Sequence, residues 1–171
     1  MLSRGADAIL IAPASANFIA KLAHSDVRSA AEMSDAVLSR IDGADIFIGV
    51  AAVADYTPQI THDRKVKKSR EPLTLTLQPT VDILATVASR PNAPYCVGFA
   101  AESHDVVTQA EEKRKRKKLP LLIANRAQDA LGSDANAVTL LDDDGAHALP
   151  KMEKLALARA LVGEIAKRIG K

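Results

Sequence analysis

Residues 45–56 read Asp-Ile-Phe-Ile-Gly-Val-Ala-Ala-Val-Ala-Asp-Tyr, and the fold turns on how that stretch is read. The apolar run 46–50 is far too short to cross a membrane. Its β-branched and aromatic side chains favour a pleated backbone, so it reads as a strand buried on both faces. Small residues follow: Gly49, Ala51, Ala52 and Ala54 leave the backbone approachable. Asp55 then sets a carboxylate at the carboxyl end of the strand, the edge where open parallel sheets bind their ligands. A core strand followed by a helix start that Asp55 caps accounts for the same residues, and both readings stand at this point.

Working outward, residues 8–12 are a second buried-strand pattern. Residues 13–17 form a turn of small and polar residues that leads into a helix at 18–22. Ser29 and Glu32 have capping-box spacing ahead of an amphipathic helix through Met33, Val37, Leu38 and Ile41, which Gly43 ends. Strand and helix thus alternate as in a parallel sheet with crossover helices. The pattern lapses over 57–71, which reads as an exposed basic arm. Leu73, Leu75 and Leu77 then alternate with polar residues at the period of a half-buried strand. Residues 79–82 turn the chain into a short helix at 83–88.

Residues 95–100 are another buried strand, and Gly98-Phe-Ala-Ala-Glu102 again runs into small residues and a carboxylate. A helix is expected over 103–118, apolar at Val106, Val107 and Ala110 and basic at its end, where cations complement the helix dipole. Residues 121–125 form one more strand. A hairpin, 137–141 and 146–149, turns at Asp142-Asp-Asp-Gly145. The last helix follows Pro150 with Leu155, Ala158, Leu161, Val162, Ile165 and Ile169 on one face. The expected fold is α/β: a Rossmann-like three-layer arrangement with a mostly parallel sheet, an exposed basic arm, and a carboxy-terminal hairpin plus helix.

Composition narrows the function. The 171 residues suit one domain, and 47% apolar with 26% charged residues is ordinary for a globular protein. Aromatic residues are only 3%, with no Trp, and the net charge is +2, which disfavours a base-stacking nucleic-acid platform despite the basic runs at 64–70 and 113–118. The single cysteine, Cys96, sits in an apolar run and reads as an inert buried thiol, which fits a reducing compartment. No run approaches 18 apolar residues and no signal-peptide pattern opens the chain, so a cytoplasmic protein without membrane partners is expected. His24, His62, His104 and His147 lack metal-ligand spacing. No GxGxxG or Walker lysine motif is present, and Ser15 and Ser103 lack a nucleophile-elbow context.

If the sheet is parallel, its strand ends and the 80–82 turn bring Asp55, Asp82, Glu102 and Asn125 around exposed backbone. Lys65, Lys67 and Lys68 on the arm, and Lys113 with Lys117 at i, i+4 spacing, add the positive charge a triphosphate requires. Taken alone, each lysine run is more often a solvated face than a binding site.

These motifs, in this order, are familiar. Gly49-Val-Ala-Ala-Val-Ala-Asp-Tyr56, Lys65-Val-Lys-Lys68, Asp82-Ile-Leu84, Gly98-Phe-Ala-Ala-Glu102, Lys113, Lys117 and Asn125 resemble the phosphopantothenoylcysteine synthetase family, over about residues 26–171. In bacteria this is the carboxy-terminal half of a bifunctional decarboxylase/synthetase of coenzyme A biosynthesis. The resemblance implies that CTP and magnesium activate the carboxylate of 4'-phosphopantothenate as an acyl-cytidylate, which L-cysteine attacks. It implies that Gly49, Val50, Ala51 and Asp55 hold the cytidine end of CTP, with Val81, Asp82, Ile83, Leu84 and Phe99 lining the same pocket. Lys113 and Lys117 would hold the phosphates, and Lys65, on the arm, would be the catalytic lysine that favours the acyl-cytidylate. A homodimer is implied, and magnesium ligands are not. Val81 stands where many members have proline.

Residues 6–24 resemble instead the flavin-dependent decarboxylase half, whose Pro-Ala-Ser-Ala-Asn motif would supply Asn17. The segment that joins the two halves in the bifunctional family is missing between them. With it go the decarboxylase cysteine, a glycine-rich turn and an asparagine that serves the synthetase. Residues 1–25 thus read as a decarboxylase-like strand-turn-helix remnant attached to a CTP-binding domain at 26–171, in one compact unit. FMN binding by this chain is not expected, and ligation is expected to be weakened by the missing turn. A nonenzymatic nucleotide-binding or dimerisation remnant is the alternative.

Overall fold

The computed structural model describes residues 8–11, 27–61, 64, 67, 72–130 and 134–170. In chain order the elements are β1 (Ala8–Ile11), α1 (Ala30–Leu38), β2 (Ile46–Gly49), β3 (Tyr56–Pro58), β4 (Leu77–Pro79), α2 (Ile83–Ala88) and β5 (Tyr95–Glu102). They continue with α3 (Val106–Arg116), β6 (Leu121–Arg126), α4 (Ala127–Ala130), β7 (Ala135–Asp142), β8 (Gly145–Glu153) and α5 (Lys154–Ile169).

Six strands form one sheet in the order β1-β2-β5-β6-β7-β8, and β3 pairs with β4 in a separate two-stranded sheet. The first four strands are parallel, and β7 and β8 are antiparallel. Each parallel crossover steps the same way along the sheet. Because such crossovers are right-handed, their helices gather on one face. That face holds Met33 and Val37 of α1, Ile83 and Val87 of α2, and Ala110 of α3 against Phe47, Cys96, Ala100, Leu122 and Ala124. Strand alternation sends Val97, Leu121, Ile123, Val138 and Leu140 to the other face, where Leu157, Leu161 and Ile165 of α5 cover them. The result is three layers, as expected, with a mostly parallel central sheet.

β1 pairs in parallel with β2, Ala8 opposite Ile46 and Ile11 opposite Gly49, so the first segment of the chain extends the sheet beside the 46–49 strand. The turn at 13–17, the helix at 18–22 and Asn17 lie outside the described residues. The capping box forms in part. Ser29 Oγ accepts from the Glu32 amide at 3.1 Å, while the Glu32 carboxylate takes the amide of Arg28 rather than that of Ser29. The turn Asp143-Asp144 closes the hairpin, helped by Gly145 at φ +124°, where a side chain would be strained.

Four local expectations are corrected. Helix α1 stops at Leu38, so Ile41 is buried from the following turn and Gly43, at φ +80°, serves that turn. The helix expected from Ser103 begins at Val106, because Asp105 adopts a left-handed conformation at φ 44°, and Val107 faces outward. The Leu73–Leu77 alternation does not make a half-buried strand: only Leu77–Pro79 pairs as one, and Leu73, Leu75 and Leu77 are 70%, 62% and 53% exposed. No layer of the described chain lies over them. The last helix buries Leu157, Leu161 and Ile165, a single i, i+4 ridge, and leaves Leu155 and Val162 each 64% exposed. β8 runs on through Pro150 to Glu153, which postpones the helix start and sets that ridge against the sheet.

Candidate functional site

Parallel pairing puts the carboxyl ends of β1, β2, β5 and β6 on one edge, and the register makes that edge stepped. β2 ends at Gly49 opposite Gly98, but β5 continues four residues to Glu102, which is opposite Arg126. At about 3.3 Å per residue the longer strands overhang β2 by roughly 13 Å. Residues 50–55 leave β2 below this overhang. They are stitched to the 80–82 turn: Thr80 donates its amide to Asp55 O at 2.9 Å and its hydroxyl to Ala54 O. The turn, the alanine-rich loop and the overhanging end of β5 therefore bound one region.

Asp82 is fixed there by α2. Its Oδ1 accepts the Ala85 amide at 3.0 Å as the helix N-cap, which leaves Oδ2 free to take Lys117 Nζ at 2.8 Å. Partial burial works to raise the Asp82 pKa, but the Lys117 ammonium and the Ala85 amide outweigh it and hold the carboxyl below its usual value. Glu102 ends β5, largely buried, and its Oε1 lies 3.5 Å from Lys113 Nζ. Lys113 sits in the last turn of α3 and Lys117 caps its end, and long side chains on a helix reach back toward its start. Both lysines expected to hold phosphate thus carry carboxylate partners that the sequence pattern did not pair with them.

The pocket residues inferred from the motifs fall on two sides of the sheet. Ile83 is buried in the α1–α3 layer, with Leu84 packed beside it. Leu84 lies over the Gly49–Gly98 pair, its Cδ1 3.4 Å from where a Cβ on Gly49 would sit and its Cδ2 2.8 Å from where one on Gly98 would sit. These glycines let α2 approach the sheet, so the space above them is filled by leucine. Phe99 points to the opposite, α5-covered layer, so it shares the edge with Ile83 but not a face. Val50 and Ala51 are half-buried, and Asp55 and Val81 are exposed. Lys65 lies outside the described residues, as do Lys68 and His62. Asn125 Nδ2 donates to Arg126 O at 3.2 Å.

Thr80, which holds the loop to the turn, was not singled out in the sequence. Its only signal is its place just ahead of a capping aspartate. No group of three or more His, Cys, Asp or Glu side chains that could hold a metal gathers among the described residues. Nor is any helix among them long and apolar enough to cross a membrane. Cys96 is buried, and desolvation pushes its thiol up to about 11, which agrees with an inert core residue.

Comparison with known proteins points the same way. The family described as DNA/pantothenate metabolism flavoprotein C-terminal domain matches residues 1–169. The coenzyme A biosynthesis bifunctional protein CoaBC of Vibrio cholerae is 45% identical over 143 residues, which are 80% of this chain and 36% of that protein. The chain therefore spans little more than a third of the length of the curated relatives it matches. Among solved structures, the C-terminal domain of a CoaBC superposes with a TM-score of 0.67 at 31% identity, covering 84% of this chain and 64% of that one. A Cab2 variant solved with phosphopantothenate-cysteine has a TM-score of 0.66 at 14% identity, covering 85% and 52%, and shares the fold. The likeness read from the motifs at 49–56, 82–84 and 98–102 agrees with these relatives.

Proposed function

Because the chain belongs to the DNA/pantothenate metabolism flavoprotein C-terminal domain family, we propose that it is a CTP-dependent ligase domain of coenzyme A biosynthesis, joining 4'-phosphopantothenate to L-cysteine. The observation that carries this reading is the stepped carboxyl edge, where a backbone loop of small residues lies with two lysines, Lys113 and Lys117, held by single carboxylates. The bifunctional relative named for coenzyme A biosynthesis and the fold neighbour that holds phosphopantothenate-cysteine support the choice of substrates.

In this reading the cytidine end lies against residues 49–51 and Asp55, with backbone of 81–84 and the edge of Phe99 beside it. Lys113 and Lys117 receive the phosphates. A carboxylate oxygen of phosphopantothenate attacks the α-phosphorus, the bond to the β-phosphate oxygen breaks, and pyrophosphate departs. The cysteine amine then attacks the acyl carbon and CMP leaves. Negative charge develops on the transferring phosphorus and on the leaving pyrophosphate, and fixed ammonium groups stabilise it without reorganising. Lys65 is the arm lysine that acts in the first step. Magnesium bound with the triphosphate would supply further charge neutralisation beside Lys113 and Lys117. Asn17 and its neighbours are a decarboxylase-like remnant without FMN. The exposed leucines of the β3–β4 region are the contact surface of a homodimer, and the protein works in the cytoplasm.

Pyrophosphate release with CTP, magnesium, 4'-phosphopantothenate and cysteine tests the proposal. Release that requires all three substrates and is abolished by Lys65→Gln is expected. CTP binding without any release would instead identify a nonenzymatic nucleotide-binding remnant.

A further inference from the structure

The two carboxylates that meet Lys113 and Lys117 differ from ordinary surface partners in how they are held. Glu102 is fixed by β5, whose last residue pairs with Arg126 in the register of the sheet, and its side chain is 17% exposed. Asp82 is fixed by its capping bond to the Ala85 amide. The lysines are the opposite: four-carbon stems with rotatable tips that lose rotamer entropy when pinned. Each pair joins a carboxylate to a lysine tip by one contact, at 3.5 Å between Glu102 and Lys113, whose side chain is 33% exposed, and at 2.8 Å between Asp82 and Lys117, whose side chain is 17% exposed. A phosphate carries more charge and more acceptor oxygens than one carboxylate oxygen, so it can take the ammonium from either partner.

We propose that Glu102 and Asp82 are positioning residues that hold the Lys113 and Lys117 ammonium groups until nucleotide phosphate takes them, and that reclaim them when pyrophosphate leaves. The inference rests on the reading of these lysines as phosphate ligands. Binding and release then become exchanges of one anion for another. No ammonium is left unpaired at any stage, and the two carboxylates lower the affinity of the resting site for both CTP and pyrophosphate. A purely structural role predicts the reverse, since breaking struts between α2 and α3 or between β5 and α3 would loosen the site and weaken the ligand.

The test uses Glu102→Gln and Asp82→Asn, because glutamine keeps the shape of the side chain and asparagine keeps the helix cap. Calorimetric titration with magnesium–pyrophosphate and magnesium–CTP should show each variant binding both ligands about threefold to tenfold more tightly than the parent, since one negative charge is removed beside a polyanion. In steady state kcat should fall together with KM, as pyrophosphate leaves more slowly. Acetylation of the free protein, followed by mass spectrometry, should show Lys113 reacting faster in Glu102→Gln and Lys117 faster in Asp82→Asn. Unchanged lysine reactivity, or unchanged or weaker ligand binding in both variants, overturns the proposal. Lys113→Met separates the two levels of argument. If it weakens CTP binding in the parent while the carboxylate variants bind no more tightly, the exchange is wrong and the phosphate role stands. If it has no effect on CTP binding, the phosphate role of Lys113 falls and the exchange at Glu102 falls with it.

Discussion

Gly49 and Gly98 are neighbours across β2 and β5, yet an added methyl group should affect them in opposite ways. On Gly98 a Cβ would stand 2.7 Å from Leu122 Cδ1, 2.8 Å from Leu119 Cδ1 and 2.8 Å from Leu84 Cδ2. Carbon atoms pack at about 3.5–4.0 Å, so three leucine tips would have to retreat at once. Leu119 and Leu122 are almost fully buried and have nowhere to go. Overpacking of this kind costs about 1–3 kcal/mol. Alanine recovers about 0.5–1 kcal/mol by restricting the unfolded chain. The net expectation for Gly98→Ala is a loss of about 1–2 kcal/mol, or a fall in Tm of roughly 2–8 °C for a domain of this size. On Gly49 the nearest atom to the new Cβ is 3.4 Å away, an ordinary contact, so Gly49→Ala should be neutral or stabilising by up to about 1 kcal/mol. Urea titrations of both variants and the parent give the comparison, read as a change in midpoint at constant slope. If Gly98→Ala proves as stable as the parent, or Gly49→Ala is equally damaged, then close approach of α2 to the sheet is not what these glycines serve.

Three further outcomes follow from side-chain partners. Asp142 accepts from Arg168 at 2.8 Å, His147 Nε2 lies 3.1 Å from it, and the Asp144 amide donates to it at 3.0 Å. Partial burial works to raise its pKa, but these partners hold it below the 3.8 of a free aspartate. The stabilisation is present above the unfolded value and lost as pH falls through the folded one. The urea midpoint should therefore be flat from about pH 5 upward and drop below about pH 4, with a shallower drop in Asp142→Asn. Arg114 is 5% exposed and donates to Glu111, to Asp143 and to Leu119 O at 3.1 Å. Because Asp143 is almost wholly solvated, Arg114→Met should cost only about 1–2 kcal/mol in a chemical denaturation curve, and a larger loss would mean the cation matters more than its packing. Replacing Leu73 and Leu75, both exposed in the single chain, together by serine should leave the far-UV circular dichroism of the folded protein unchanged, because neither side chain belongs to its core. The same variant should turn a dimer into a monomer in light scattering, and an unchanged mass would remove the β3–β4 surface from the proposed contact.

Much of this fold was legible because burial on both sides of a parallel sheet leaves short apolar runs. The runs at 46–50, 95–100 and 121–125 each announce themselves that way, within two residues of the observed strands, and the hairpin turn at Asp143-Asp144 carries its own residue chemistry. Ser29 was legible as a cap because capping depends on a residue and the amide three positions on, whereas Asp82 was read only as the end of a turn and its cap on Ala85 came from the structure. What failed depended on partners distant in sequence. Leu73, Leu75 and Leu77 alternate properly, but alternation does not say whether a second layer exists to cover them. In α5 several apolar stripes compete, and the sheet chose Leu157, Leu161 and Ile165, leaving Leu155 and Val162 outside. The candidate site divides similarly. Its edge follows from strand polarity, but the pairing of Lys117 with Asp82, 35 positions apart in the chain, and the filling of the glycine pair by Leu84, needed three dimensions.

The most direct measurement of the central claim is calorimetric titration of the chain with magnesium–CTP and magnesium–ATP, repeated on Lys117→Met. The account predicts saturable binding of CTP, no comparable binding of ATP, and a loss of about tenfold or more in CTP affinity when the Lys117 ammonium is removed. Failure of CTP to bind, or CTP binding that ignores the loss of Lys117, would contradict it.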